Sequence, residues 1–317
     1  MILSQSLESM MRLSRIKVAI IGAGPAGMAA ALQLQRFGIE TILLGADLPG
    51  SLLKNAWLVE NYLGITPGMS GQDLLRVFQQ HLKQNKITVI NTAVKILDYA
   101  VTEQLFTIKT ATKNYEADYV VVATGTKPKV LPLMTTVQDA RKKYVFSEVF
   151  PLLKKRKRTI VIIGAGDAAF DNALNLAKYN KVIICGRGKN LSALPLLVQQ
   201  AVKNQHITCY QDHELHSILA GSQKNLTCKF VNKESQMSLD TDYLLIAIGR
   251  TPQKDFYTDR LQSWEKQLLK CHKLFLAGDI KNAIYRQVAI AVSDGIVAAM
   301  QIFYAFQGRK FIEVKKK

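Results

Sequence analysis

A strand, a glycine-rich turn and a helix occur twice in this chain in the same order, and that repeated unit constrains the fold of its 317 residues more than any other feature. The first copy runs from an apolar strand at Lys17 to Ile21 through Gly22-x-Gly24-x-x-Gly27, with the helical pattern from Pro25 to Phe37 ended by Gly38. The second begins 142 residues later, with a strand at Thr159 to Ile163, Gly164-x-Gly166-x-x-Ala169 and a helix to about Lys178. In such a unit the first glycine permits the tight turn, the second admits a pyrophosphate close to the backbone, and the third position lets the helix pack on the strand. The helix amides and the positive end of the helix dipole then face the phosphates. Two dinucleotides are therefore expected.

Further strands follow each unit. Thr41 to Leu44 and Lys181 to Cys185 read as second strands, while Tyr119 to Ala123 and Tyr243 to Ile248 read as closing strands. The closing strands end in Thr124-Gly125 and in Gly249-Arg250-Thr251-Pro252. After Pro252 come Leu274 to Ala277, Gly278-Asp279 and a final long helix, which has no strand-helix unit of its own to complete and is expected to return to the first domain.

The end of the second strand separates the two sites, because an acid there accepts ribose hydroxyls whereas a cation favours a 2′-phosphate. Asp47 lies 20 residues after Gly27, and Arg187 lies 18 after Ala169 with Lys189 beside it. The second site thus leans toward NADPH, with NADH the alternative.

Composition sets the remaining limits. A 48% hydrophobic chain of this length can bury two cores and is neither disordered nor fibrous. Residues 1 to 14 lack the apolar core and cleavage site of a secretory signal, so a cytoplasmic protein is expected. The apolar stretch from Val288 to Phe306 carries Ser293, Asp294, Gly295 and Gln301, which points to a buried helix and not to a membrane span. Cys185, Cys209, Cys228 and Cys271 are isolated, without a C-x-x-C pair or metal-ligand spacing, and are expected to be buried reduced thiols; no metal is expected. The formal charge of +18 favours acidic partners. The basic run Lys154 to Arg158 reads as a solvated loop before a strand, so no nucleic-acid partner is expected.

These landmarks are ordered, and together they resemble the low-molecular-weight thioredoxin reductase superfamily. They are IGAGPAGMAAAL at 21 to 32, Gly50-Ser51-Leu52-Leu53 leading to Val59-Glu60-Asn61-Tyr62-Leu63-Gly64, ATG at 123 to 125, GAGDAA at 164 to 169, AIGRTP at 247 to 252, and AGDI at 277 to 280 followed by Tyr285-Arg286-Gln287. The resemblance implies an α/β fold of two Rossmann-like dinucleotide-binding domains of the three-layer ββα type. A nicotinamide domain, 127 to 251, would be inserted into a discontinuous FAD domain, 1 to 126 and 252 to 317. A homodimer is also implied.

The flavin set expected on this basis is Gly22, Gly24, Pro25, Ala26, Gly27, Asp47, Gly50, Leu53, Asn61, Val94, Ala123, Thr124, Gly125, Gly278, Asp279, Arg286 and Gln287. Within it the resemblance puts Asp279 on the ribityl chain, Asn61 near the flavin, and Arg286 with Gln287 at the pyrimidine edge. The nicotinamide set is Gly164, Gly166, Asp167, Ala168, Ala169, Arg187, Lys189, Ile248 and Gly249.

Two departures shape the expected chemistry. The superfamily's C-x-x-C precedes the second glycine turn, and here that segment is Ser147-Glu148-Val149-Phe150. A serine forms neither disulfide nor thiolate, so dithiol relay to thioredoxin is excluded, and Ser147 is read as a helix N-cap in the manner of thioredoxin-reductase-like ferredoxin-NADP reductases. The superfamily's His-Arg-Arg phosphate clamp is reduced to Gly186-Arg187-Gly188. The expected activity is an FAD-dependent oxidoreductase that takes hydride from NAD(P)H and passes electrons directly to an acceptor, with ferredoxin or flavodoxin favoured. The alternatives are a quinone or oxygen reductase, and a flavin-binding sensor or assembly subunit without nicotinamide turnover.

Overall fold

The computed structural model describes residues 14–46 and 52–308. A parallel sheet is built around β1 (Ser14–Ile21), which leads through the first glycine turn into α1 (Pro25–Arg36). β2 (Thr41–Gly45) pairs with β1, and β3 (Val89–Asn91) pairs with β2 after α2 (Gly71–Gln84). Ser70 caps α2 by accepting from the Asp73 amide. β4 (Val94–Ala100), β5 (Leu105–Thr110) and β6 (Asn114–Val122) form an antiparallel meander. The first half of β6 belongs to that meander, while its second half runs parallel to β17 (Leu274–Leu276), so the chain's late segment completes its first sheet.

The same plan is repeated downstream. After β7 (Thr126–Pro128), α3 (Asp139–Lys142) and β8 (Val145–Phe146), the strand β9 (Thr159–Ile163) enters the second glycine turn and α4 (Asp167–Leu176). β10 (Lys181–Cys185), α5 (Pro195–Val202) and β11 (Ile207–Tyr210) follow, and then a meander of β12 (Glu214–Ala220), β13 (Leu226–Val231) and β14 (Gln236–Thr241). β15 (Tyr243–Ile246) closes a five-stranded parallel sheet in the order β11-β10-β9-β15-β8. The parallel strands of the first sheet run β3-β2-β1-β6-β17, so each sheet reverses its order beside the strand that carries the glycine turn. Ligands of open α/β sheets lie at that reversal.

β16 (Arg250–Pro252) returns the chain to the first sheet, pairing antiparallel with the outgoing β7. Beyond it α6 (Asp259–Lys270) is fixed to β4. Its N-cap Thr258 accepts from the Leu261 amide at 3.2 Å and donates to Asp98 Oδ1 at 2.6 Å, and the Arg260 hydrogen bond holds the Asp98 carboxyl down to about 2.

The last helix, α7 (Val288–Phe306), has the length and hydropathy of a bilayer span, with a mean hydropathy of 1.7. It lies instead along α1, burying Ala291, Gly295, Ala298, Ala299 and Ile302. The expected burial holds for that face alone, since Ile296, Val297, Met300, Tyr304 and Phe306 on the rest of the helix are exposed. Small residues permit the close approach on one side, and nothing in a single chain covers the other.

Two other expectations need correction. Ser147 is an exposed bend residue and caps nothing; Val149 precedes the short 3-10 turn Phe150–Leu152. Cys185 and Cys228 are buried, and burial pushes both thiols up to about 12, but Cys271 is exposed because it ends α6, where its thiol donates to the Leu268 carbonyl. The basic run is tied down at three places: Arg156 stacks on Tyr179 at 3.8 Å, Lys155 lies over Tyr243 at 5.2 Å, and Arg158 faces Asp242 at 3.7 Å.

A Cβ on Gly295 would stand 2.0 Å from the Ala26 carbonyl oxygen on α1. Gly295→Ala is therefore expected to cost about 2–3 kcal/mol of stability, read as a lower urea midpoint at unchanged slope.

Candidate functional site

The two glycine turns have the same construction. Gly22 has φ +108° and Gly164 has φ +141°, and a Cβ on either would lie 2.3 Å from a carbonyl oxygen of the next closing strand, Ala123 O and Ala247 O respectively. Only glycine fits there, on steric and conformational grounds together. A Cβ on Gly27 would stand 1.8 Å from the Gly22 carbonyl oxygen, and Ala169 at the matching position is fully buried. Gly24 and Gly166 differ in kind: their Cβ positions face open space, with only Ser192 Oγ within 4 Å of the latter. Each is the extended N-cap of its helix with no side-chain cap; the Ala169 amide bonds to the Gly166 carbonyl at 2.9 Å and Pro25 has no amide hydrogen, which leaves the Ala26 and Gly27 amides of α1 and the Asp167 and Ala168 amides of α4 to bind an anion.

A cleft of about 770 Å³ opens over the first turn. Among the expected residues it is lined by Gly22, Gly24, Pro25, Ala26, Leu53, Asn61, Val94, Ala123, Thr124, Gly125, Gly278, Asp279, Arg286 and Gln287. Gly27 lies beneath the turn, and Asp47 and Gly50 fall outside the described residues. The volume is at the upper end of the range for ligand sites and suits an extended dinucleotide.

Local structure explains the polar groups. Asn61 donates from Nδ2 to Gln287 Oε1 at 2.9 Å, joining the loop after the short helical turn Leu53–Asn55 to the N-cap of α7. The positive end of α7 thereby points at the cleft, where it would favour negative charge on a bound ring. Burial raises the Asp279 carboxyl above its usual range, with Arg286 and then Arg250 opposing the shift. The turn bearing Asp279 is held from behind by Asp294, which accepts from the Gly278 amide at 3.0 Å and from Asn282 Nδ2 at 2.5 Å and pairs with Lys281 at 2.8 Å. That is why an acid sits inside the apolar α7.

These features fit a flavin dinucleotide: a turn only glycine can make, free helix amides facing open space, and a half-buried carboxylate, Asp279, available to a hydroxylated chain. When bound, FAD supplies the capacity to accept hydride and release electrons.

The nicotinamide set is more open. Ala168, Arg187, Lys189 and Gly249 are exposed and Ile248 is half-buried. Asp167 is already engaged, accepting from the Leu194 amide at 2.7 Å and so fixing the start of α5. The second turn has the anion-binding backbone, and none of its expected residues lines the cleft over the first turn.

Several cleft residues went unread in the sequence. Glu148 and Phe150, from the segment that stands where a C-x-x-C would, line the flavin cleft, as do Pro151, Asn55, Arg250 and Gln253. Arg250 donates to Glu148 Oε1 at 2.8 Å and to Thr126 Oγ1 at 2.9 Å, across the two strands that link the sheets. The departure from the sulfur motif marked Glu148 and Phe150 as unusual, whereas Asn55 carried no signal at all.

The site and fold together define a flavin- and nicotinamide-dependent oxidoreductase. The chain belongs to the pyridine nucleotide-disulphide oxidoreductase family, whose model matches residues 16–295. It is 30% identical to the thioredoxin reductase of Rickettsia typhi over 302 residues, covering 90% of this chain and 96% of that one. It is 25% identical over 296 residues to the 34.2 kDa protein in the rubredoxin operon of Clostridium pasteurianum, with 90% and 96% covered. Among solved structures, the thioredoxin reductase of Lactococcus lactis in its FR conformation superposes with a TM-score of 0.81 at 23% identity, covering 93% of this chain and 100% of that one.

Because the Cβ positions of Gly24 and Gly166 are open, an acid can be placed there without disturbing the fold. Gly24→Asp is expected to leave stability within about 0.5 kcal/mol and to abolish FAD retention, while Gly166→Asp keeps the yellow colour and loses nicotinamide binding. Absorbance of the purified variants and nucleotide titration by calorimetry check this.

Proposed function

We propose that the chain passes hydride from NADPH, with NADH as a weaker donor, to FAD, and that electrons leave the flavin directly for an acidic one-electron carrier such as ferredoxin or flavodoxin. The observation that carries the reading is the segment Ser147 to Phe150. It borders the flavin cleft through Glu148 and Phe150 and contains no sulfur, and none of the four cysteines is among the cleft-lining residues. A dithiol relay has no groups to run on.

In this reading FAD is held by Gly22, Gly24, Pro25, Ala26, Gly27, Leu53, Asn61, Val94, Ala123 to Gly125, Gly278, Asp279, Arg286 and Gln287. The domains divide at 126/127 and 251/252, a division favoured by the pairing of β7 with β16, where the chain leaves and rejoins the first sheet. The protein orients the two rings, excludes water and stabilises negative charge at the N-terminus of α7. A second copy of the chain over the exposed face of α7 is part of the proposal, and a reduced cytoplasmic setting agrees with four unpaired thiols.

Charge supports the choice of acceptor, since a chain of +18 attracts an acidic carrier over about 10 Å of screened field. Protein reduced anaerobically with NADPH is expected to pass electrons to ferredoxin or flavodoxin faster than to quinones or oxygen, at rates that fall steeply with salt. Equal, slow and salt-independent turnover with all four acceptors would remove the carrier from the reading, and failure of both nicotinamides to bleach the flavin would favour a sensor.

Arg187 and Lys189 follow β10, where a 2′-phosphate would lie, and both are exposed. Arg187→Ala is expected to raise KM for NADPH by about tenfold and to leave KM for NADH unchanged, in line with one charge-assisted hydrogen bond.

A further inference from the structure

We propose that Glu148 and Asp171 are positioning residues: two carboxylates of the nicotinamide domain that grip one strap of the flavin domain, Asn55 to Trp57, and thereby set where the nicotinamide meets the flavin. The kinetic consequence rests on the function proposed above, whereas the grip itself does not.

The strap follows Leu53, and its Asn55 and Ala56 form part of one wall of the flavin cleft. At its start, Asn55 Nδ2 donates to Glu148 Oε2 at 2.6 Å, and Asn55 Oδ1 accepts from the Phe150 amide at 3.2 Å. The other oxygen of Glu148 accepts from Arg250, whose guanidinium also donates to the Thr126 carbonyl at 2.7 Å. One carboxylate thus joins the strap to the strand pair that links the domains. At the far end of the strap, the Trp57 amide donates to Asp171 Oδ2 at 3.0 Å from α4, and Lys178 lies 3.6 Å over the Trp57 ring. Lys54 covers the Phe150 ring at 4.7 Å.

The linking strands fix a hinge but leave an angle free. Two further attachments, at Glu148 and at Asp171, remove that freedom. Asp171 stands on the helix whose N-terminus forms the second nucleotide turn, so its bond to Trp57 ties the phosphate site of one domain to the flavin wall of the other. Hydride transfer is sensitive to such placement, with displacements of about 1 Å costing on the order of 100-fold.

The grip has a built-in sensitivity to acid. Burial against the strap lifts the Asp171 carboxyl from 3.8 to about 6, the Trp57 amide opposes the shift, and Asp167 on the same helix and Glu60 beyond the strap add to it; Lys178 is the cation on this face. With the domains apart the acid returns toward 3.8, so the docked arrangement binds the proton more tightly. Its added stability is full below about 3.8 and is lost as the pH rises through about 6.

The chain has two tryptophans, Trp57 and Trp264, so Trp264→Phe leaves Trp57 as the reporter of docking in the FAD-loaded protein. In that background Asp171→Ala is expected to red-shift Trp57 emission, to raise acrylamide quenching about twofold, and to slow flavin reduction by NADPH about 10- to 100-fold while KM for NADPH and FAD content stay unchanged. Glu148→Ala with Asp171→Ala should extend each effect. Asp171→Asn, which keeps the acceptor oxygen, should restore docking and flatten the pH dependence of the emission between about pH 4 and 7. Trp57 emission and quenching identical to the parent in the double variant, with melting still cooperative, would overturn the proposal, as would parental reduction rates in Asp171→Ala. If NADPH fails to reduce the parent itself, the functional reading falls, and the fluorescence of the variants still decides whether the grip exists.

Discussion

The contact on which the rest depends is the approach of a glycine α-carbon to a carbonyl oxygen of the neighbouring strand, made once by Gly22 against Ala123 and again by Gly164 against Ala247. A side chain at either place would hold the turn away from its sheet. With glycine, the helix that follows starts directly over the strand ends, and its unpaired amides point into the space where the strand order reverses. Everything later in the chain is arranged around the first of these openings. β17 joins the first sheet, and α7 and the Gly278–Ile280 turn pack beside it, although the second sheet's strands lie between them and it in sequence.

That return explains residues whose types look misplaced when read alone. Asp294 interrupts the most apolar helix in the chain because the Gly278 amide, Asn282 and Lys281 need a common acceptor, and a carboxylate serves all three. Asn61 and Gln287 are 226 residues apart and meet at one hydrogen bond that orients the helix end. The half-buried Asp294 and Asn282 are tolerated because each is satisfied, and together they hold the turn that bears Asp279 more firmly than apolar packing of so short a segment would.

Much of this was legible. The two glycine turns, the strands beside them, the return of the final helix and most of the flavin cleft follow from patterns that depend on local spacing, and the order of the landmarks gave the family. What escaped reading depends on contacts between distant segments. Asn55 sits in an irregular turn with no periodicity to mark it, and Asp171 looks like a solvent-facing acid on an amphipathic helix until Trp57 is brought against it. Ser147 resembled a cap because a serine after a strand commonly is one, but no α-helix begins within capping distance. Cys271 looked buried by residue type and is exposed by its position at a helix end.

The segment Ser147 to Phe150 brings these threads together. A pair of thiols there could accept electrons from the flavin, and a carboxylate and a phenyl ring cannot. What the segment retains is its place: Glu148 bonded on one side to Asn55 of the cleft wall and on the other to Arg250 of the linking strands. A residue kept at the domain boundary without redox chemistry has mechanical work left to do. Of the bonds that hold Glu148, the one from Asn55 would have to break if the nicotinamide domain turned, so the segment that lacks the sulfur pair is also the one that ties the cleft wall to the second domain.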